Sequence, residues 1–158
     1  MEFAFTYLHL LAAGLLVGKV SLLSFVVAPI LAKQLDAESF GRVVRQLFPA
    51  YYTMGIAAAV LGLVSLGVLG IVRGFAAAPG IAVGLWAIVL AAEGYCRAPL
   101  TPRSNAMRDE LKRQRARGVV SAELQAAWER LHRRSVYLNS LVLLIGLGVL
   151  ALSTVVLS

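Results

Sequence analysis

Four stretches of this sequence, about 3–32, 50–72, 80–98 and 135–157, stay apolar for long enough to cross a bilayer. A hydrocarbon core about 30 Å thick needs roughly 20 consecutive apolar residues of helix. Such a core offers no partner for an open sheet edge or an irregular backbone, so four stretches of this length predict four helices. They occupy most of the 158 residues and leave no room for a sizeable soluble domain. The mean hydropathy of +0.81 agrees with this, since ordinary soluble domains are less apolar. The expected architecture is all-α: a polytopic membrane protein with one transmembrane domain, 1–158, its four helices in a bundle and amphipathic helices in its cytoplasmic loops.

The first stretch differs from a signal peptide. It begins "MEFAF", with Glu2 and no Lys or Arg before Lys19, and its apolar run is too long. It reads as a retained helix. The single Cys96 excludes an intrachain disulfide and a cysteine metal cluster. Of the 15 Lys and Arg, ten lie in the segment joining the third and fourth stretches with its edges, and three, Lys33, Arg42 and Arg45, join the first and second. Only Arg73 joins the second and third. This asymmetry, 13 against one, predicts cytoplasmic loops at 33–49 and 99–134 and both termini outside, in a plasma or bacterial inner membrane. Topology thus accounts for the basic charge without nucleic acid, and the expected partners are membrane lipids with anionic head groups at the cytoplasmic face.

Local signals refine the helices. Pro29 is expected to bend the first. Asp36 is a candidate cap for a short surface helix carrying Phe40, Val43, Val44 and Leu47 on one face. Pro49 is expected to start the second span, with Tyr51 and Tyr52 at the lipid boundary. Gly55 and Ala59, Ala58 and Gly62, and Gly80 and Gly84 each stand four apart. Small residues at that spacing predict close helix packing, within one bundle or along the seam of a homo-oligomer. Thr101 is the expected N-cap of a loop helix with Pro102 at its first position and Gly118 as its stop. No breaker separates Ser121 from the fourth span, which predicts one helix over about 122–157.

The apolar run "LLAAGLLVGKVSLLSFVVAP" contains an ammonium group, Lys19. At about 1.5 Å per residue, Lys19 and Glu93 reach similar depth from the outer boundary. An ionisable group inside a membrane normally faces the interior and has a partner. The candidate polar pair is therefore Lys19 with Glu93. Arg97, four residues after Glu93, competes for it, and snorkelling toward the cytoplasm competes for Lys19. The pair reads either as structural or as a working polar site on a proton or solute path. His9 is expected near the outer surface and His132 near the inner one, too far apart for a bis-histidine haem, and no metal-ligand spacing occurs. No cofactor, metal site or catalytic residue is expected, and the chain does not read as an enzyme. A membrane oxidoreductase linked to haem or quinone is the weakest reading.

At the cytoplasmic edge Asn105, Arg108, Asp109 and Lys112 share a helix face, and His132, Ser135 and Asn139 share another. With Arg45, Tyr51 and Arg103 they make a candidate binding cluster for a lipid head group or a polar solute; the alternative is a solvated, salt-bridged collar. Asn105 or Asp109 is expected to bond to the His132–Asn139 stripe. The segments "SFVVAPIL", "FGRVVRQLFPAYY", "PRSNAMRDE" and "LHRRSVYLN", in this order and at these spacings, resemble the transmembrane protein 205-like family of small four-helix membrane proteins. The resemblance spans nearly the whole chain. It implies a four-helix membrane protein with these motifs at the cytoplasmic edge. It brings no established reaction, and only a hint, from eukaryotic relatives, of tolerance to toxic metals or drugs. The two function classes are a bundle that binds or moves a small solute and an accessory protein that organises lipid or a partner.

Overall fold

The computed structural model describes residues 1–74 and 77–156. The expected fourth span therefore ends one residue outside the described residues. Among them every regular element is helical. α1 (Glu2–Leu22), a π-helical turn (Leu23–Val27) and α2 (Ala28–Gln34) form one bent rod. α3 (Ala37–Arg73) follows. α4 (Ala77–Tyr95) passes through a second π-helical turn (Cys96–Leu100) into α5 (Thr101–Ala116), and α6 (Ala122–Val156) closes the chain. Four helical rods are long and apolar enough to span a membrane. This is an integral membrane protein by length and composition.

The local chemistry explains the breaks. The Asp36 carboxylate accepts from the backbone N–H groups of Glu38 and Ser39, both at 2.9 Å, and so caps α3. Those donors, Ser39 first, hold its carboxyl below the usual carboxylate range. α3 stops at Gly74, where φ is 87°, and the turn after α5 uses Gly118 at φ 75°. Few other residues adopt that conformation cheaply. Both π-helical turns accompany a proline, Pro29 just after the first and Pro99 inside the second. A proline ring clashes with the carbonyl four residues back, and a wider turn removes the clash.

Two expected helix starts are corrected. Pro49 lies inside α3, which runs unbroken from the loop into the membrane. Thr101 is not an N-cap: it continues the helical rod, and its Oγ1 donates to the Cys96 carbonyl at 2.7 Å, next to Pro99. In both cases the bilayer favours a continuous helix, because a break exposes backbone groups in lipid. At 1.5 Å per residue the 37 residues of α3 measure about 55 Å, so about 25 Å of it projects beyond the hydrocarbon core.

α1 packs against α3 and α6, and α4 packs against the same two, which places the spans in a ring with α1 opposite α4 and α3 opposite α6. The centre is filled by Ala12, Ala13, Leu16, Ala58, Ala59, Trp86, Val89, Val142 and Val149. The small residues of α3 lie inside: a Cβ on Gly62 would overlap the Trp86 indole. Gly80 and Gly84 instead lie on the outer face of α4, where an added Cβ would meet nothing within 4 Å. That pair does not pack the bundle. α5 lies back against the start of α3 and the start of α6.

Candidate functional site

Lys19 and Glu93 meet across the diagonal of the ring. Nζ donates to Glu93 Oε1 at 2.6 Å, and each side chain is 1% exposed. Lys19 belongs to the inward stripe of α1 that also holds His9, Ala12, Ala13, Leu16 and Val20. It does not snorkel. Its ammonium lies 3.9 Å from the centroid of the Tyr51 ring and donates to the Tyr51 carbonyl at 3.3 Å. A cation against an aromatic face recovers part of the hydration it loses. Gly55, one turn after Tyr51, makes room for the pair: a Cβ there would fall on the Glu93 carboxylate and on Lys19 Nζ. Arg97 does not compete, because its Nε donates to Thr53 Oγ1 at 3.3 Å.

The pair leaves one atom without a partner. Glu93 Oε2 is buried and accepts no hydrogen bond from any described residue. A carboxylate oxygen in such a place is costly, because each unmade bond forfeits the solvation lost on burial. The other diagonal of the ring is closed by Tyr51, whose hydroxyl donates to Asn139 Oδ1 at 3.2 Å. Tyr51 therefore touches both diagonals. Each π-helical turn starts within four residues of a member of the pair, at Leu23 after Lys19 and at Cys96 after Glu93.

From the pair toward the termini, the core is apolar and packed. Leu16, Ala58, Ala59 and Val89 fill it. Beyond them, in the first half of α1, His9 is fully buried within the bundle. Its Nε2 lies 2.9 Å from Ser153 Oγ, which itself donates to the Val149 carbonyl at 2.7 Å. His9 Nδ1 and the neighbouring Trp86 Nε1 are buried without partners. The periodicity that marks Ala12, Ala13 and Leu16 as inward already includes His9, so its burial was accessible from spacing alone.

The loop edge divides. Arg45 pairs with Asp109, joining α3 to α5, and Lys112 pairs with Glu38 at 2.7 Å. Arg108 donates to the Gly41 carbonyl at 3.4 Å and its guanidinium lies 5.1 Å from the Trp128 ring centroid. Trp128 stacks on His132. Asp109 pairs with Arg45 in place of the expected bond to the His132–Asn139 stripe, and Asn139 accepts from the Tyr51 hydroxyl. Asn105 makes no side-chain hydrogen bond to a described residue, Ser135 bonds to the His132 carbonyl of its own helix, and Arg103 is exposed. The expected cluster is thus not one pocket: Arg45, Arg108 and Asp109 belong to an ion-paired collar, Tyr51 and Asn139 join beside the buried pair, and Arg103, Asn105 and Ser135 enter neither arrangement. Among the described residues no group of His, Cys, Asp and Glu is arranged to hold a metal ion.

Residues 11–113 match the family described as domain of unknown function DUF4149. The chain belongs to this family. The DUF4149 match contains Lys19, Tyr51, Gly55 and Glu93 together with the Arg45–Asp109 bridge, and leaves Asn139, His132 and Ser153 of α6 beyond its end. No curated protein and no solved structure matches this DUF4149 protein.

Proposed function

We propose that this DUF4149 protein is a membrane-embedded binding protein, not an enzyme, that takes a small apolar solute carrying one hydrogen-bond donor at the Lys19–Glu93 pair. The carrying observation is Glu93 Oε2, a buried acceptor without a partner among the described residues, while Oε1 is held by Lys19, whose ammonium lies against the Tyr51 ring. A donor delivered by a solute satisfies it at no cost to the existing ion pair. Entry is from the loop side, past Tyr51 and Asn139, because the packed layer of Leu16, Ala58, Ala59 and Val89 blocks the opposite half. The positive charge of the loops supports a cytoplasmic loop side and outer termini in the plasma or bacterial inner membrane. The resemblance to the transmembrane protein 205-like family, with its hint of tolerance to toxic metals or drugs, fits a protein that handles small solutes.

Thermal unfolding in detergent tests this with phenol and aniline against anisole, which is similar in size and has no donor. Phenol or aniline raises Tm saturably in the wild type and anisole does not. The Lys19→Met/Glu93→Met double variant, which removes the acceptor and strands no charge, loses the shift. An equal shift with anisole, or a shift retained in the double variant, refutes the reading.

A further inference from the structure

The arginines that tie the collar together are occupied, but Arg130 and Arg133 at the start of the α6 span are not. Arg130 and Arg133 find no carboxylate within 4 Å among the described residues. Arg134 is anchored through Nη1 to the Tyr95 hydroxyl at 2.9 Å, on the neighbouring α4. Together with Tyr137, Leu138 and Leu141 these three arginines line a surface groove of about 510 Å³. Successive groups around the groove change from cationic to amphipathic to apolar. Tyr137 is 69% exposed and Leu141 43% exposed, whereas Leu138 is half-buried against the core and forms the floor of the groove. From Arg130 to Leu141 is about 16 Å along the helix.

We infer that this groove is a binding site for one anionic phospholipid of the loop-side leaflet. The order of the lining residues is the order of a lipid's own parts. Guanidinium groups meet the phosphodiester, which they hold by charge-assisted hydrogen bonds. Tyr137 stands at the level of the ester linkages, where amphipathic aromatics concentrate. Leu138 and Leu141 lie along the acyl chain. A free phosphate or an acidic protein segment uses the arginines but leaves the exposed faces of Tyr137 and Leu141 without a role. The site is independent of the Lys19–Glu93 pair, which lies inside the ring.

Native mass spectrometry of the full chain, released from micelles doped with phosphatidylglycerol or phosphatidylcholine, measures retention of each lipid. The wild type retains phosphatidylglycerol in preference to phosphatidylcholine. Each neutralised arginine weakens that binding about fivefold, so Arg130→Gln/Arg133→Gln weakens it about 25-fold. Arg115→Gln/Arg117→Gln removes the same charge from the far end of α5 and leaves binding within about twofold. Where the double variant does not fold, as read by far-ultraviolet circular dichroism, Arg133→Gln alone carries the test at about fivefold. Equal retention of the two lipids overturns the inference. So does an equal loss from the Arg115/Arg117 variant, or displacement of the lipid by inorganic phosphate as effectively as by added phosphatidylglycerol.

Discussion

Replacing Gly55 by alanine isolates the cost of disturbing the buried pair. Two effects oppose each other. In a helix interior, alanine is favoured over glycine by about 1 kcal/mol. At Gly55, however, the new Cβ falls on the Glu93 carboxylate and on Lys19 Nζ. The α3 backbone cannot retreat, because Ala58, Ala59 and Gly62 hold it against the other helices. The pair has to separate, and breaking a buried ion pair costs about 3–5 kcal/mol. The expected net loss is about 2–4 kcal/mol. Gly67→Ala supplies the control on the same helix, since its Cβ meets nothing within 4 Å; it is neutral or stabilising by up to about 1 kcal/mol. In a Lys19→Ala/Glu93→Ala background the obstruction is gone, and Gly55→Ala changes sign. Equilibrium unfolding in mixed detergent micelles, followed by far-ultraviolet circular dichroism, reads all of these. A Gly55→Ala variant as stable as wild type, or one equally damaged in the background without the pair, refutes the reasoning.

Other outcomes follow from the same geometry. Lys19→Met and Glu93→Met each cost several kcal/mol while the double variant costs much less than their sum, a coupling of more than about 2 kcal/mol; additivity within about 0.5 kcal/mol in the same unfolding assay denies the contact. The Arg45–Asp109 bridge, with side chains 44% and 50% exposed, contributes no more than about 1 kcal/mol, and a double-mutant cycle repeated at high salt should find that coupling gone. Asp36 is held below its unfolded value, so its cap stabilises fully above the unfolded value and is lost as pH falls through the lower folded one. An acid titration of helicity therefore has a smaller acid limb in Asp36→Asn than in the wild type, and unchanged limbs would remove the cap from the account. With Cys96 replaced by alanine, Arg115→Cys is shielded from an impermeant external thiol reagent in intact cells and Phe3→Cys is labelled; the reverse pattern inverts the orientation.

The four spans were legible because bilayer thickness converts directly into apolar length, a property of each segment alone. Gly118 as a stop and Asp36 as a cap are equally local. Depth matching led to Lys19 and Glu93, since the rise per residue is the same in any helix. Rotation about each axis was harder to read. Whether Asp109 meets Arg45 or Asn139 depends on the turn imposed at Cys96–Leu100, and a wide turn has no sequence mark beyond its proline. Pro49 and Pro102 fit a helix start as well as a continuing membrane helix, so local rules could not separate the two. Gly80 and Gly84 carry the same spacing as Gly55 and Ala59 yet face outward, because spacing reports a face and not its direction.

The π-helical turn at Cys96–Leu100 also makes the chain sensitive to residue count. Each residue of an α-helix advances the face by about 100°. Adding one residue between 96 and 100, where the wider turn already accommodates one more residue than an α turn, leaves α5 helical and equally polar but turns it by about a quarter of a revolution against α4. Arg108, Asp109 and Lys112 then swing away from Gly41, Arg45 and Glu38, and the collar comes apart although all of its side chains are still present. Substitutions in this stretch are therefore better tolerated than an added residue, and sequences that keep the collar are expected not to lengthen the spacing from Glu93 to Asp109.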